Sequence, residues 1–325
     1  MKKIVILGTG GTIAGTAADP SDNVGYTAAQ VGVADLLASI PGLSQALRGQ
    51  SLLTEQVAQI DSKDMSFVVW QQLALRVRHY LAQADVAGII ITHGTDTLEE
   101  TAYFLSAVLP PASLALKPVV FTCAMRPASS AAPDGPQNVL DAVSVVNTPG
   151  ACGVTVVCAA TVHDALHVQK IHPYRLDAFS SGEAGPVAFV EEGCVRLVRN
   201  WPLARASQAL EAIKNIAFEP PWPRVEILMN YAGASGAMVD ALVLAGQSDL
   251  QPPLRGLVVA ATGNGTVHQD LEAALHRAVA AGIHVMIATR CAMGRVIPGA
   301  AQAFADSQGL SPVKARVALM LDLLS

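Results

Sequence analysis

The chain has 325 residues, of which 51 % are hydrophobic and 14 % charged, and its formal net charge is −5. A chain this long favours two domains with a core that needs no disulfide or metal ion for stability. The composition excludes intrinsic disorder, the apolar runs fall short of the ~20 residues of a membrane span, and no basic run suggests a nucleic-acid interface.

Short apolar runs alternate with helix-length patterns through the first part of the chain. The clearest helix is Leu98–Leu109, which ends before Pro110-Pro111 because proline cannot continue it. Strands that alternate with helices indicate an α/β fold whose larger N-terminal domain is a mostly parallel sheet with helices on both faces. The predicted strands are Ile4–Leu7, Val57–Ile60, Gly88–Ile91, Val119–Thr122 and Val154–Cys158.

The alternation is lost between Glu191 and Pro223, a proline-rich stretch that favours a hairpin or a linker. It then resumes on a smaller scale and predicts a second, smaller α/β domain. We therefore expect an N-terminal domain at 1–200, a linker at 201–223 and a C-terminal domain at 224–325. The predicted elements are strands Val225–Met229, Gly256–Ala260 and Gly282–Ala288, and a helix Asp270–Ala281 capped by Gly282.

The first motif is a glycine-rich turn, Gly8–Gly15, that follows the first strand. Such a turn lets backbone N–H groups approach a ligand closely. One interpretation is a dinucleotide site, but Ile13 stands where the third glycine of that fingerprint belongs. Another is a tight turn and nothing more. Neither explains the hydroxyl of Thr12, nor the turn-rich segment Asp19–Gly25, which is suited to a mobile lid.

The second motif, ITHGTDTLEET, covers residues 91–101. Thr97 and Glu100 have the spacing of a capping box, so we expect a helix to begin near Thr97. Thr95 and Asp96 then lie between a strand end and a helix N-terminus, where a carboxylate or a developing oxyanion is stabilised. The alternative is that Asp96 only caps the helix.

Three further features carry weaker signals. Asp61-Ser62-Lys63-Asp64 follows a predicted strand, and Lys170 stands alone in a loop, where a lysine is usually solvated. The histidines of segment 163–172 lack the spacing of a metal site, so no metal is expected.

The cysteines and the N-terminus bear on location. The five cysteines are scattered, as in a protein of a reducing compartment. The first predicted strand starts at Lys3, which leaves no room for a secretory signal, so we expect a cytoplasmic protein.

Several segments in family order make the chain resemble the bacterial-type L-asparaginases. That family also contains glutaminase-asparaginases and an archaeal tRNA amidotransferase subunit. Two threonine-containing motifs together are far more specific than a lone glycine pattern. The matching segments, spread over essentially the whole length, are Thr9–Gly15, Ile91–Thr101, Ala124–Pro127, Asp134–Pro136, Thr262–Gly265 and Lys314–Val317.

The resemblance implies hydrolysis of L-asparagine to L-aspartate and ammonia without a cofactor, in a homotetramer built of close dimers. Thr12 would be the nucleophile, with Tyr26 beside it, and Thr95, Asp96 and Lys170 would form a second catalytic cluster. An asparagine like Asn264 would reach the neighbouring subunit's site, and the second domain would complete that site. The implied substrate-binding residues are Gly11, Asp61, Ser62, Lys63, Gly94, Thr95, Asp96, Ala124 and Asn264.

Two departures from the family pattern bear on selectivity. The best-studied members carry a glutamate in the partner's C-terminal domain, whereas the segment between Arg290 and Pro312 offers only Asp306 as an acid. Lys63 stands where glutamine is common in secreted members. The alternatives are a glutaminase-asparaginase of broad specificity, an ammonia-supplying amidotransferase-type subunit, a non-catalytic amino-acid sensor and a dinucleotide-dependent oxidoreductase.

Overall fold

The computed structural model describes residues 2–203, 222–246, 252–299 and 303–324. The chain divides into two compact units, Met1–Leu210 and Glu211–Ser325. Most of the predicted linker, residues 204–221, lies outside the described residues. Among the described helices, none is long and apolar enough to cross a membrane.

The first unit is built on one large sheet and one short hairpin. Its strands are β1 (Lys3–Gly10), β2 (Ser51–Ile60), β3 (Val86–Thr92), β4 (Val119–Thr122), β5 (Val154–Cys158), β6 (Thr161–Asp164), β7 (Gln169–Lys170), β8 (Phe179–Ser180), β9 (Ala188–Glu191) and β10 (Cys194–Leu197). The eight-stranded sheet has the order β10-β9-β6-β5-β4-β3-β1-β2, and β7 pairs with β8. The five strands from β5 to β2 are parallel, whereas β6, β9 and β10 join through antiparallel pairs.

Helices cover both faces of this sheet, which confirms the predicted architecture. They are α1 (Val33–Ala38), α2 (Leu43–Ala46), α3 (Phe67–Leu81), α4 (Leu98–Val108), α5 (Pro111–Leu114) and α6 (Gly135–Val146). Ile4 and Ile6 of β1 belong to a buried cluster with α1, α2 and α6. The alternate residues Val5 and Leu7 are also fully buried, because α3 and α4 cover the opposite face.

The second unit is a smaller α/β sheet, as predicted. Strands β11 (Arg224–Met229), β12 (Leu254–Ala261), β13 (His284–Thr289) and β14 (Ala305–Asp306) pair in that order, all parallel. Its helices are α7 (Ala237–Ala245), α8 (Gln269–Ala280) and α9 (Pro312–Asp322). Gly282, with φ +84°, follows α8, and the bonds from Gly282 N to Val279 O and from Ile283 N to Ala278 O form a Schellman motif.

Two elements differ from the sequence prediction. Strand β2 begins at Ser51 rather than Val57 because it lies at the sheet edge, where polar residues need not be buried. An antiparallel hairpin, β9–β10, starts at Ala188, ahead of the stretch in which a hairpin or linker was predicted. Glu192 and Gly193 at its turn both have positive φ, as a two-residue hairpin turn requires.

Candidate active site

Neighbouring parallel strands bring four loops to one edge of the large sheet. Strands β4, β3, β1 and β2 are consecutive and parallel, so their carboxyl ends meet there. Ligand sites of open α/β sheets form at this edge. The loops that follow these strands carry most of the site residues expected from the sequence: Gly11, Thr12, Asp61, Ser62, Lys63, Gly94, Thr95, Asp96 and Ala124.

Two glycines allow three of these loops to touch. Gly11 has φ +84°, and a Cβ atom on it would lie 2.2 Å from the Cα of Gly94. A Cβ atom on Gly94 would in turn lie 2.5 Å from the Oγ of Ser62. Any side chain at either glycine would therefore force the loops apart. The two glycines therefore set the distance between the loops, in addition to any backbone contact that they offer a ligand.

Thr12 forms a hydroxyl pair with Tyr26. Thr12 begins a short 3₁₀ helix, Thr12–Ala14, and is only 7 % exposed. Its Oγ1 lies 2.6 Å from the phenolic oxygen of Tyr26. Gly15 makes room for the phenol, since a Cβ atom there would lie 2.8 Å from a ring carbon of Tyr26. The expected pairing of these two residues is thus present in the geometry.

The segment between the two hydroxyls is a closed loop with little apolar anchoring. Backbone bonds between Thr16 and Thr27 close its base. Asp19 and Asp22 hold its turns by accepting bonds from backbone N–H groups, and these bonds lower the pKa of both exposed carboxyls. Val24 is 76 % exposed, so the tip of the loop packs weakly.

We expect this loop to order when a product is bound, because its few packing contacts leave it free to open. Amide hydrogen exchange through residues 16–26 should slow on addition of aspartate. The buried strand β3 serves as the internal control and should not change. Equal exchange with and without aspartate would count against closure.

A second cluster joins Thr95, Lys170 and Asp96. The Nζ of Lys170 donates to Thr95 Oγ1 at 2.8 Å and to Asp96 Oδ1 at 2.6 Å. Thr95 is buried, the lysine side chain is 18 % exposed and the aspartate side chain 55 %. The cluster therefore has a dry hydroxyl end and a carboxylate end open to solvent. The sequence pattern alone indicates a solvated Lys170, whereas in the structure its amine forms hydrogen bonds with two side chains.

Ser62 braces the loop that carries this cluster. Its Oγ accepts from the backbone N–H of Asp96 at 3.1 Å, and its carbonyl accepts from the hydroxyl of Thr97 at 2.7 Å. Thr97 is the N-cap of α4 as predicted, but its side chain makes no capping bond to the helix. The capping-box interpretation is therefore wrong in this detail, because the Thr97 hydroxyl donates to a neighbouring loop instead.

Lys63 forms an ion pair with Asp61 beside this loop. The two side chains meet at 2.7 Å, and the Lys63 side chain is 64 % exposed. The hydrogen bond to Asp61 raises the pKa of Lys63, with Asp64 and Asp96 adding to the effect. Asp61 offsets much of the positive charge that Lys63 would bring to the site.

Asp134 fixes the loop that contains Ala124. Its two carboxylate oxygens accept from the backbone N–H groups of Met125 and Arg126, both at 2.9 Å. The side chain of Asn138 donates to the carbonyl of Cys123 at 2.9 Å. Sequence reasoning assigned no role to these two supports. A signal was available in Asp134-Gly135-Pro136, because an acidic residue shortly before a proline is typical of a helix N-terminus.

His93 is a buried residue directly before Gly94, in the loop that follows β3. It is fully buried, and its Nδ1 lies 2.7 Å from the carbonyl oxygen of Gly94, so Nδ1 carries the proton. Its Nε2 is buried without a hydrogen-bond partner among the described residues. Burial lowers the pKa of His93 to about 4, although the bond to Gly94 opposes the shift. The ring is therefore a neutral structural support.

The low pKa of His93 predicts a pH dependence of stability. The unfolded chain takes up a proton near pH 6.5 and the folded protein only near 4. The free energy of unfolding should therefore fall as pH drops through this range, by about 3 kcal/mol. Urea unfolding at pH 7 and pH 4 should show a smaller loss for His93→Gln than for the unchanged protein. Equal losses would contradict the assignment.

The remaining candidates have local partners. In the second unit the amide of Asn264 exchanges two bonds with the backbone of Ile297, at 3.1 and 2.7 Å. Asp306 accepts from the N–H of Gln308 at 2.6 Å. In the first unit His163 Nδ1 lies 2.8 Å from the Ser181 hydroxyl. Throughout the described ranges, no group of three His, Cys, Asp or Glu side chains could hold a metal ion.

Two threonine hydroxyls lie at the carboxyl edge of a parallel sheet, one beside a phenol and one beside a lysine–carboxylate pair, an arrangement that suits a hydrolytic enzyme with an α/β fold. Family models make this specific. The model described as "Asparaginase, N-terminal" matches residues 3–203, and the "Glutaminase/Asparaginase C-terminal domain" matches residues 224–325. The chain belongs to the asparaginase family and is an amidohydrolase.

Individual relatives are similar over nearly the whole chain. L-asparaginase 2 of Bacillus subtilis is 34 % identical, over 99 % of this chain and 83 % of the relative. Glutaminase-asparaginase of Pseudomonas fluorescens is also 34 % identical, over 99 % of this chain and 86 % of the relative. The crystal structure of a probable cytoplasmic L-asparaginase from Campylobacter jejuni superposes with a TM-score of 0.88 at 32 % identity, covering 99 % and 95 % of the two chains.

Proposed function

We propose that this protein hydrolyses L-asparagine to L-aspartate and ammonia through a threonine nucleophile. The observation that carries the proposal is the meeting of two hydroxyl centres on loops in direct contact. Thr12 lies beside Gly11 and Thr95 beside Gly94, and those glycines touch. The relatives named L-asparaginase and glutaminase-asparaginase support an amide of this size as substrate.

In the first half of the reaction, Thr12 Oγ1 attacks the side-chain amide carbon of the substrate. A threonine hydroxyl is a poor nucleophile unless a neighbouring group takes its proton. The Tyr26 hydroxyl, at 2.6 Å, is placed to relay that proton towards the leaving nitrogen. The C–N bond breaks, the nitrogen leaves as ammonia with the threonine proton, and an aspartyl ester remains on Thr12.

In the second half, a water molecule hydrolyses the ester. In this step an unprotonated Lys170 amine would accept a proton through Thr95, with the Thr95 hydroxyl donating across the 2.8 Å contact in which the amine is the donor in the resting site, while Asp96 accepts from the amine. The water oxygen adds to the acyl carbon as its proton passes to Lys170, and that proton returns to the Thr12 oxygen when the ester C–O bond breaks, which leaves aspartate and a free threonine hydroxyl. General base catalysis of this kind contributes about 10²–10⁴-fold to a rate.

Substrate recognition would rest on the polar groups around this centre. Ser62 and Asp96 are placed to hold the α-carboxylate and the α-ammonium group, with Gly94 and the Asp61–Lys63 pair beside them. The carbonyl of Ala124 would face the leaving amide. Each contact would replace hydrogen bonds to water that a charged or polar group of the substrate loses on binding.

Assembly and location are further parts of this proposal. We propose, from the resemblance described under Sequence analysis, a homotetramer in which Asn264 of one subunit reaches its neighbour's site and the second unit completes that site. A cytoplasmic location is supported by the name of the Campylobacter jejuni protein, although a Haemophilus influenzae relative is named as periplasmic. Size-exclusion chromatography with light scattering would measure the assembly, and a dimer or a monomer would overturn the tetramer.

Ammonia release from the purified protein tests the activity. We expect stoichiometric ammonia and aspartate from asparagine, with no effect of added NAD. Ammonia that appears only with a partner enzyme would favour an amidotransferase-type subunit. Binding of asparagine without turnover would favour a sensor, and turnover that needs NAD would favour an oxidoreductase.

Selectivity between asparagine and glutamine provides a sharper prediction. A pocket that fits asparagine must accommodate one more methylene to accept glutamine, and such a misfit costs roughly 1–3 kcal/mol, or 10–200-fold. We expect kcat/KM for glutamine at no more than a few per cent of that for asparagine. Comparable values would mean that another residue anchors the longer substrate.

A further inference from the structure

Lys170 lies in a very short β-strand. Its strand, β7, has two residues and pairs with β8, which also has two. A lysine amine sits at the end of a flexible four-carbon stem, so its position depends on where the main chain is held. The two side-chain partners of the amine, Thr95 and Asp96, belong to a different segment, the loop before α4.

Glu99 connects these two segments. It lies in the first turn of α4, three residues after Asp96. Its Oε2 accepts the backbone N–H of Lys170 at 2.7 Å, a bond that spans 71 residues of sequence. The same short stretch of chain, 95–99, therefore contacts Lys170 at both ends: the amine through Thr95 and Asp96, and the main chain through Glu99.

We propose that Glu99 is a positioning residue for amide hydrolysis, holding the backbone of Lys170 so that its amine reaches Thr95 and Asp96. This inference rests on the proposed function. A charged acceptor makes a stronger bond to an N–H group than a neutral one does. Displacement of a catalytic group by about 1 Å can cost about 10²-fold in rate, so a single backbone anchor can control turnover.

Three variants of Glu99 separate positioning from general stability. Glu99→Met removes the acceptor at similar size, and we expect kcat to fall about 10–100-fold while KM changes less. Glu99→Gln keeps an acceptor oxygen and should retain kcat within about threefold. Glu183→Met, at an exposed acid of the same unit, is the matched control and should behave as the unchanged protein. If Glu99→Met does not fold, Glu99→Asp withdraws the carboxylate by one methylene and should show the same loss.

Amide hydrogen exchange gives a readout that does not depend on turnover. The Lys170 amide should exchange faster in Glu99→Met than in the unchanged protein or in Glu99→Gln. The amide of Ile171, which donates to the Ala178 carbonyl at 2.8 Å within the hairpin, should stay protected and serves as the internal control.

Three outcomes would overturn the role of Glu99: unchanged Lys170 exchange in Glu99→Met, unchanged kcat in that variant, or equal damage from Glu99→Gln. An unmodified protein that releases no ammonia from asparagine would instead overturn the proposed function. The exchange of the Lys170 amide would still test the contact in that case, so the two failures are distinguishable.

Discussion

Replacement of Thr12 by alanine should abolish nearly all turnover while asparagine still binds. The expected loss in kcat is on the order of 10³-fold or more, the scale seen when a covalent nucleophile is removed. Thr12 is 7 % exposed and its hydroxyl is bonded to that of Tyr26, so the substitution takes away the attacking oxygen and leaves the surrounding glycines in place. Steady-state kinetics and calorimetric binding of asparagine would measure the two effects separately.

Two further variants make this result specific. Thr12→Ser keeps a hydroxyl and should recover a large part of kcat. Thr16→Ala removes a threonine hydroxyl four positions along the same segment, where the structure uses the backbone to pair with Thr27, and should retain activity. If Thr12→Ala keeps a tenth of the original kcat, Thr12 is not the nucleophile.

The sheet could be predicted from the sequence because burial on both faces leaves continuous apolar runs. Val119–Thr122 and Val154–Cys158 match their strands residue for residue. Strand β2 was predicted too short because an edge strand carries polar residues that weaken the signal. The antiparallel strands β6, β9 and β10 have four residues each, too few for a distinct period.

The site was predictable where its residues lie close in sequence, and not where they are far apart. Glycine turns and strand ends drew attention to Thr12, Thr95 and Asp96. Lys170 had no local signal because its partners lie 75 and 74 positions away; family resemblance alone assigned it a role. The sequence assigns no role to Glu99, since its bond to the Lys170 backbone depends on tertiary structure.

The direct contact between Thr95 and Lys170 determines how the second cluster should respond to mutation. Thr95 and Lys170 meet through one hydrogen bond of 2.8 Å. If both act in one proton transfer, removal of either member stops that transfer, and removal of the second adds little. Groups that act as a unit are strongly non-additive in this way.

We therefore expect Lys170→Met and Thr95→Val each to lower kcat on the order of 10³-fold, and the double variant to be little worse than either single one. Independent roles would instead multiply to about 10⁶-fold. Lys3→Met provides the matched cycle with Thr95→Val, because Lys3 pairs with Asp85 at the opposite end of the sheet and should leave kcat unchanged alone and in combination. Thermal unfolding of every variant would confirm that folded enzyme is being compared.

Fully additive losses for Lys170 and Thr95 would show that the two side chains act in separate steps. The proposed route of the proton from water to Lys170 through Thr95 would then be wrong.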